Sequence, residues 1–160
     1  MMLHYLKDKK IDILSMSGFV RNFIRKSCRG GLVSTAFNKS FAYTKPITMI
    51  DINSLYPYAL SLIDVPLRYP RVITSKMTWD DVLKQKCFVV EATITKYHVQ
   101  HEFDIPIKGK QVLTNLDFEY RKFEFDRSIP PRGYYWVYTA EKPFKEFVET
   151  IYSYKQKPST

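Results

Sequence analysis

The chain has 160 residues, enough for one domain or a large piece of one, and its 45% hydrophobic and 16% aromatic content excludes a disordered polypeptide. Against 16 Asp and Glu stand 25 Lys and Arg, a net charge of +9 that points to an anionic partner, nucleic acid first. No apolar run reaches membrane-spanning length and the N-terminus lacks the apolar core of a secretory signal, so an intracellular chain without a membrane partner is expected, its compartment open.

In chain order, the basic residues come early: Lys7, Lys9, Lys10, Arg21, Arg25, Lys26 and Arg29 face only Asp8 and Asp12. Such a stripe suits a phosphate backbone, and equally a solvated arm. Leu3 to Lys26 predicts short helical or irregular segments. Arg29-Gly30-Gly31 is a glycine turn into a strand that alternates from Leu32 to Phe37. Ile47 to Ile52 predicts a second strand, antiparallel to the first. Asn53 or Ser54 then caps a helix carrying Tyr56, Pro57, Ala59, Leu60 and Ile63, with Pro57 tolerable in the first turn.

Residues 65–72 read as extended, because each proline disfavours helix at the residue before it. Thr78 and Asp81 form a capping signature for a short helix through Gln85. The β-branched alternation of Cys87 to Tyr97 is a strand. Thr114 and Asp117 start another short helix, over Asn115 to Phe123, and Tyr134 to Glu141 is a further strand. Behind Pro143, the residues Phe144, Phe147, Val148, Ile151 and Tyr152 fall on one helical face. The sum is an α+β fold with a mostly antiparallel sheet.

The chemistry gathers at Asp51. A carboxylate at a strand end sits at the sheet rim, where it can hold a hard cation. Phosphoryl transfer commonly uses two cations about 3.5–4 Å apart, so a second carboxylate must come from elsewhere. The turn after Asp51 leads to a helix N-terminus, which favours triphosphate oxygens. Tyr56 can set its ring against the sugar of a nucleotide and exclude a 2′-hydroxyl by contact. Other groups have plainer readings. His98 and His101, beside Glu102 and Asp104, fall in a polar loop; the aromatics of 134–138 pack a strand; Asp81 beside Asp80 is a cap. Cys28 and Cys87 fit no metal spacing, and Ser34 with Cys28 and the histidines forms no triad.

Asp51-Ile52-Asn53-Ser54-Leu55-Tyr56-Pro57 resembles motif A, D-x-x-S-L-Y-P, of family B DNA polymerases. Two further stretches resemble the protein-primed branch of bacteriophages, adenoviruses, linear plasmids and related mobile elements. Arg29-Gly30-Gly31 is similar to that branch's Y-x-G-G element, although Ser27 or Cys28 stands where an aromatic is expected. Thr114 to Glu119, T-N-x-D-x-E, is similar to the insertion called terminal protein region 1.

The resemblance implies a partial polymerase palm with an inserted α+β subdomain, and DNA-directed DNA polymerase activity primed by a protein. It implies Asp51 as the catalytic metal ligand with the Ile52 carbonyl beside it, Mg²⁺ as the cofactor, and nucleotide contacts from Asn53, Ser54, Leu55 and Tyr56. DNA contacts fall to Arg29, Gly30 and Gly31, and contacts with the terminal priming protein to Thr114, Asn115, Asp117 and Glu119. The expected organisation is a basic segment over 1–28, a partial palm over 29–85 and a strand-rich segment over 86–155. Neither K-x-x-x-N-S-x-Y-G nor D-T-D, the next motifs of the family, occurs in the sequence. The expectation is therefore an incomplete palm segment, from a fragment, a split gene or a decayed one, inactive alone and active only with a complementing chain. The rivals are a non-catalytic module binding DNA or terminal protein, and a remnant without function.

Overall fold

A strand of 12 residues, β3 (Cys87–His98), organises the fold. In the computed structural model, residues 2–10, 14–16, 18–35, 40 and 42–156 are described. Ahead of β3 come helices α1 (Met2–Asp8), α2 (Gly18–Arg25) and α3 (Leu55–Leu62), the short strands β1 (Val65–Leu67) and β2 (Arg71–Val72), and helix α4 (Trp79–Leu83). After it come β4 (Gly109–Thr114), α5 (Asn115–Tyr120), β5 (Lys122–Phe125), β6 (Arg132–Trp136), β7 (Tyr138–Ala140) and α6 (Lys145–Gln156). The fold is α+β, and every strand pairing among the described residues is antiparallel.

Strand β3 pairs with three others. Val89 to Ile94 lie opposite β4, Cys87 to Glu91 opposite β6, and Ile94 to His98 opposite β5 after a register shift between Ile94 and Lys96. Alternation along the strand sends Phe88, Val90, Ala92 and Ile94 into one core with Trp79, Val82 and Leu113. Val89 points the other way, to Phe23 of α2, Val112 and Trp136. The two cores flank the sheet, so burial holds α2 and α4 on opposite faces of it.

Gly133 of β6 permits the closest approach. Its φ is +154°, and a Cβ there would collide with the Val89 carbonyl oxygen. Only glycine fits both demands.

Local capping sets the short helices. In α4 the Thr78 hydroxyl accepts from the Asp81 N–H at 3.3 Å, and the Asp81 carboxylate accepts from the Thr78 N–H at 3.0 Å. The Thr78 N–H, and after it the Thr78 side chain, draw the Asp81 carboxyl below its usual value. The helix ends at Leu83, two residues short of the expected Gln85, and the N–H of its C-cap Lys84 bonds back to Asp80. In α5 the Asp117 carboxylate accepts from the Thr114 N–H at 3.0 Å. This helix stops at Tyr120 rather than Phe123, because residues 122–125 gain more as β5 against β3.

The expected strand over 134–141 is two strands. It breaks at exposed Val137, so β6 joins the β3 sheet while β7 pairs with β1 in a separate two-stranded ladder. The Arg68 guanidinium stacks over the Tyr138 ring at 4.2 Å, and the Lys142 N–H bonds Asp64 at 3.1 Å just beyond that ladder.

Two further expectations fail. Ile47 to Ile52 is not a strand, and Leu32 to Thr35 is not one either; the rest of the expected first strand lies outside the described residues. Ile47, Met49, Ile50 and Ile52 are instead exposed. A strand needs a hydrogen-bonded neighbour, and over its described residues, 32–35, the segment that was to supply it is not a strand.

Candidate functional site

The segment 51–57 is a turn followed by the first turn of α3. Ser54, the N-cap, has φ 52° and ψ 45°, the left-handed region that a residue with a Cβ enters only when its surroundings hold it there. Its side chain makes no capping bond. Its carbonyl is held instead: it accepts from the Tyr58 N–H at 3.0 Å and from the Tyr152 hydroxyl of α6 at 3.2 Å. Pro57 stands at the third helical position, where a missing N–H costs nothing.

Around this turn, Asp51 and Asn53 are exposed, and Tyr56 is 81% exposed. Asp51 belongs to no group of three or more His, Cys, Asp or Glu side chains among the described residues. One carboxylate with the Ile52 carbonyl does not make a two-metal site, so these residues alone do not complete one for Mg²⁺. An open groove of about 610 Å³ runs beside the turn between α3 and α6, lined by Tyr56, Pro57, Leu60, Val148, Ile151 and Tyr152 among others. Its walls are apolar, suited to a ring or a side chain rather than to phosphate.

The second part of the site lies on the sheet. Arg29 Nη1 donates to both carboxylate oxygens of Asp117, at 3.1 and 3.3 Å, and Nη2 donates to the Val112 carbonyl at 3.4 Å. The expected turn at Arg29-Gly30-Gly31 is irregular backbone instead, and Arg29 ties it to the T-N-x-D-x-E stretch. Arg121 Nε approaches the same Asp117 carboxylate at 3.4 Å, while its Nη1 donates to the Tyr97 hydroxyl at 3.0 Å and the Ile105 carbonyl at 3.1 Å. Tyr97 in turn donates to Asp104 at 2.7 Å. That bond and one from the Gln100 N–H hold the Asp104 carboxyl below its usual value. Burial, then the bond to Asp104, raises the Tyr97 hydroxyl. A polar cavity of about 340 Å³ opens beside this network, bordered by Gly30, Gln100, His101 and Arg121.

The sequence-derived residues therefore fall into two places. Asp51, Ile52, Asn53, Ser54, Leu55 and Tyr56 surround the α3 turn. Arg29 meets Asp117 and the Val112 carbonyl, with Gly30 and Gly31 next to it in the chain and Thr114 capping the helix that carries Asp117. Asn115 is occupied inside the fold, its side-chain oxygen accepting from the Phe88 N–H at 3.4 Å, and Glu119 is exposed. His98 and His101 join no cluster of metal-ligating side chains among the described residues. Both cysteines are free: Cys28 is exposed, and burial pushes the Cys87 thiol up to about 11. Sequence reasoning missed the bracing role of Tyr152 and the bridging role of Arg121. Tyr152 carries only the signal of a helical apolar face, and Arg121 carries none.

No helix among the described residues is long and apolar enough to cross a membrane. Neither a curated protein nor a solved structure matches the chain. A family model does, over residues 1–160: DNA polymerase type B, organellar and viral. With its α+β fold, its D-x-x-S-L-Y-P turn and a match along its whole length, the chain belongs to the organellar and viral type B DNA polymerases.

Proposed function

We propose that this chain forms the motif A region of a protein-primed DNA polymerase palm together with its terminal protein region 1. The observation that carries this reading is the presentation of Asp51 and Tyr56. Both stand exposed on either side of a left-handed turn whose carbonyl is bonded twice, in a chain matched throughout by a type B polymerase family. A turn held this way costs little reorganisation when a nucleotide arrives. In this reading Asp51 and the Ile52 carbonyl would hold one Mg²⁺, which neutralises triphosphate charge when bound. Asn53, Ser54 and Leu55 would face the triphosphate, and Tyr56 the sugar. A second carboxylate would come from a chain carrying D-T-D.

The DNA template and primer would lie along the exposed Gly30–Gly31 backbone and the basic residues Arg21 and Arg25 of α2 and Lys26 just after it, all exposed. The terminal protein would meet the surface of α5, where Leu116, Glu119 and Tyr120 are exposed and Thr114, Asn115 and Asp117 set the shape.

The test is reconstitution. Mixed with a polypeptide bearing K-x-x-x-N-S-x-Y-G and D-T-D, the chain is expected to incorporate dNTPs with Mg²⁺. Asp51→Asn should abolish incorporation while leaving the circular dichroism spectrum unchanged. Incorporation retained by Asp51→Asn would overturn the assignment. DNA binding without incorporation in any mixture would instead favour a non-catalytic module, the reading that the lone carboxylate supports.

A further inference from the structure

We propose that Arg29 is a positioning residue: its ion pair with Asp117 latches the Gly30–Gly31 segment to the end of β4, and DNA meets the latched glycines rather than the guanidinium. This rests on the reading that the glycine segment contacts DNA.

Three observations support it. First, the Arg29 guanidinium is already engaged by both Asp117 oxygens and the Val112 carbonyl, and the side chains of the pair are only 29% and 12% exposed. A phosphate would have to displace these partners. Second, Asp117, in the first turn of α5, is itself fixed, by the Thr114 N–H at 3.0 Å and by Arg121 at 3.4 Å, so the anchor sits in a capped helix start and not in a loose loop. Third, Gly30 and Gly31 follow the latch directly and open onto space: a Cβ added at either meets nothing within 4 Å. Gly30 also borders the polar cavity beside Arg121. Nothing within the fold demands glycine there, whereas a backbone that phosphates approach closely does. An unlatched glycine segment is the most flexible that a chain can offer, so its ordering would have to be supplied on binding.

Direct charge attraction and the latch make opposite predictions. If Arg29 touches phosphate, Asp117→Asn removes a competing negative charge and tightens DNA binding. If Arg29 is a latch, Asp117→Asn weakens binding although the chain becomes more positive. The asparagine keeps an oxygen for the Thr114 N–H, so α5 stays capped.

The experiment measures single-stranded oligonucleotide affinity across a salt series, with ¹⁵N relaxation of the Gly30 and Gly31 amides, in wild type, Arg29→Ala, Arg29→Lys, Asp117→Asn and the Arg29→Ala/Asp117→Asn double variant. The latch predicts lower order parameters at both glycines in Arg29→Ala and Asp117→Asn. It predicts affinity about twofold to fivefold weaker in each, the range of a partly exposed ion pair, no further loss in the double variant, and partial rescue in Arg29→Lys. The slope of log affinity against log salt should not change in Arg29→Ala. A slope flattened by roughly 0.7, one single-strand phosphate contact, would overturn the proposal. So would unchanged order parameters, or looser glycines with unchanged affinity. If wild type binds no oligonucleotide, the DNA reading of the glycine segment fails, and with it the proposed use of the latch. The relaxation data alone then decide whether the pair orders the segment.

Discussion

Tyr152 and Ser54 are 98 positions apart, yet the Tyr152 hydroxyl donates to the Ser54 carbonyl at 3.2 Å. The bond joins the last helix to the turn that carries Asp51 and Tyr56. Tyr152→Phe keeps the ring and removes only this bond. It should lower stability by about 0.5–1.5 kcal/mol in urea unfolding. In the reconstituted polymerase it should also reduce kcat more than it raises KM, because the turn is then held by Tyr58 alone. A variant with wild-type stability and kcat would show that the brace contributes nothing.

Tyr56 has a sharper test than activity alone. Because it is 81% exposed, Tyr56→Val should change stability by no more than about 0.5 kcal/mol. If Tyr56 faces the sugar, the same variant should admit ribonucleotides while still using deoxyribonucleotides. The measurement is the ratio of kcat/KM for the two substrates in the reconstituted enzyme. An unchanged ratio would leave Tyr56 as a surface residue of the groove.

Gly133 is the least replaceable residue of the sheet. Gly133→Ala drives a methyl group into the Val89 carbonyl at a φ that alanine rarely adopts. The expected loss is about 2–4 kcal/mol, combining overpacking with backbone strain. A thermal midpoint within a degree or two of wild type would refute it.

Asp104 gives an acid-side signature. Its carboxyl is held below the ordinary 3.8 by Tyr97 and the Gln100 N–H, so the folded state binds its proton more weakly than the unfolded chain does. The stability it contributes is present above about 4, the unfolded carboxylate value, and is lost as pH falls through the lowered folded value. Asp81 and Asp126 are lowered in the same direction, by Thr78 and by Ser128. Asp104→Asn should therefore make unfolding less steeply pH-dependent below pH 4, with the difference from wild type vanishing toward the acid end. Parallel curves for the two proteins would contradict the assignment.

What the sequence disclosed was local. Thr78 with Asp81, and Thr114 with Asp117, announce helix starts because donor and acceptor lie three residues apart. Cys87 to Tyr97 announces itself by alternation, and the strand extends one residue further, to His98. Ile47 to Ile52 has strand composition and no strand, since pairing depends on a second segment that composition does not reveal. The break at Val137 hides inside a continuous run of strand formers. In the candidate site, the heptapeptide around Asp51 was legible as a contiguous motif. The partnership of Arg29 with Asp117, 88 positions apart, was not. Each of the two was assigned a contact outside the chain, and each is engaged within it.

The pairing of β1 with β7 sets Val65 opposite Ala140 and Leu67 opposite Tyr138. Along the chain, the whole branch between Leu67 and Tyr138 leaves and re-enters through this short stem, while Phe23 and Arg29 join it by side-chain contact. The chain before it leads back to α3, and the chain after it to α6. Along the backbone, a lengthened loop or an added strand in the branch reaches those two helices only through the stem. A change of loop length within the branch therefore leaves the number of residues from the stem to α3, and from the stem to α6, unaltered.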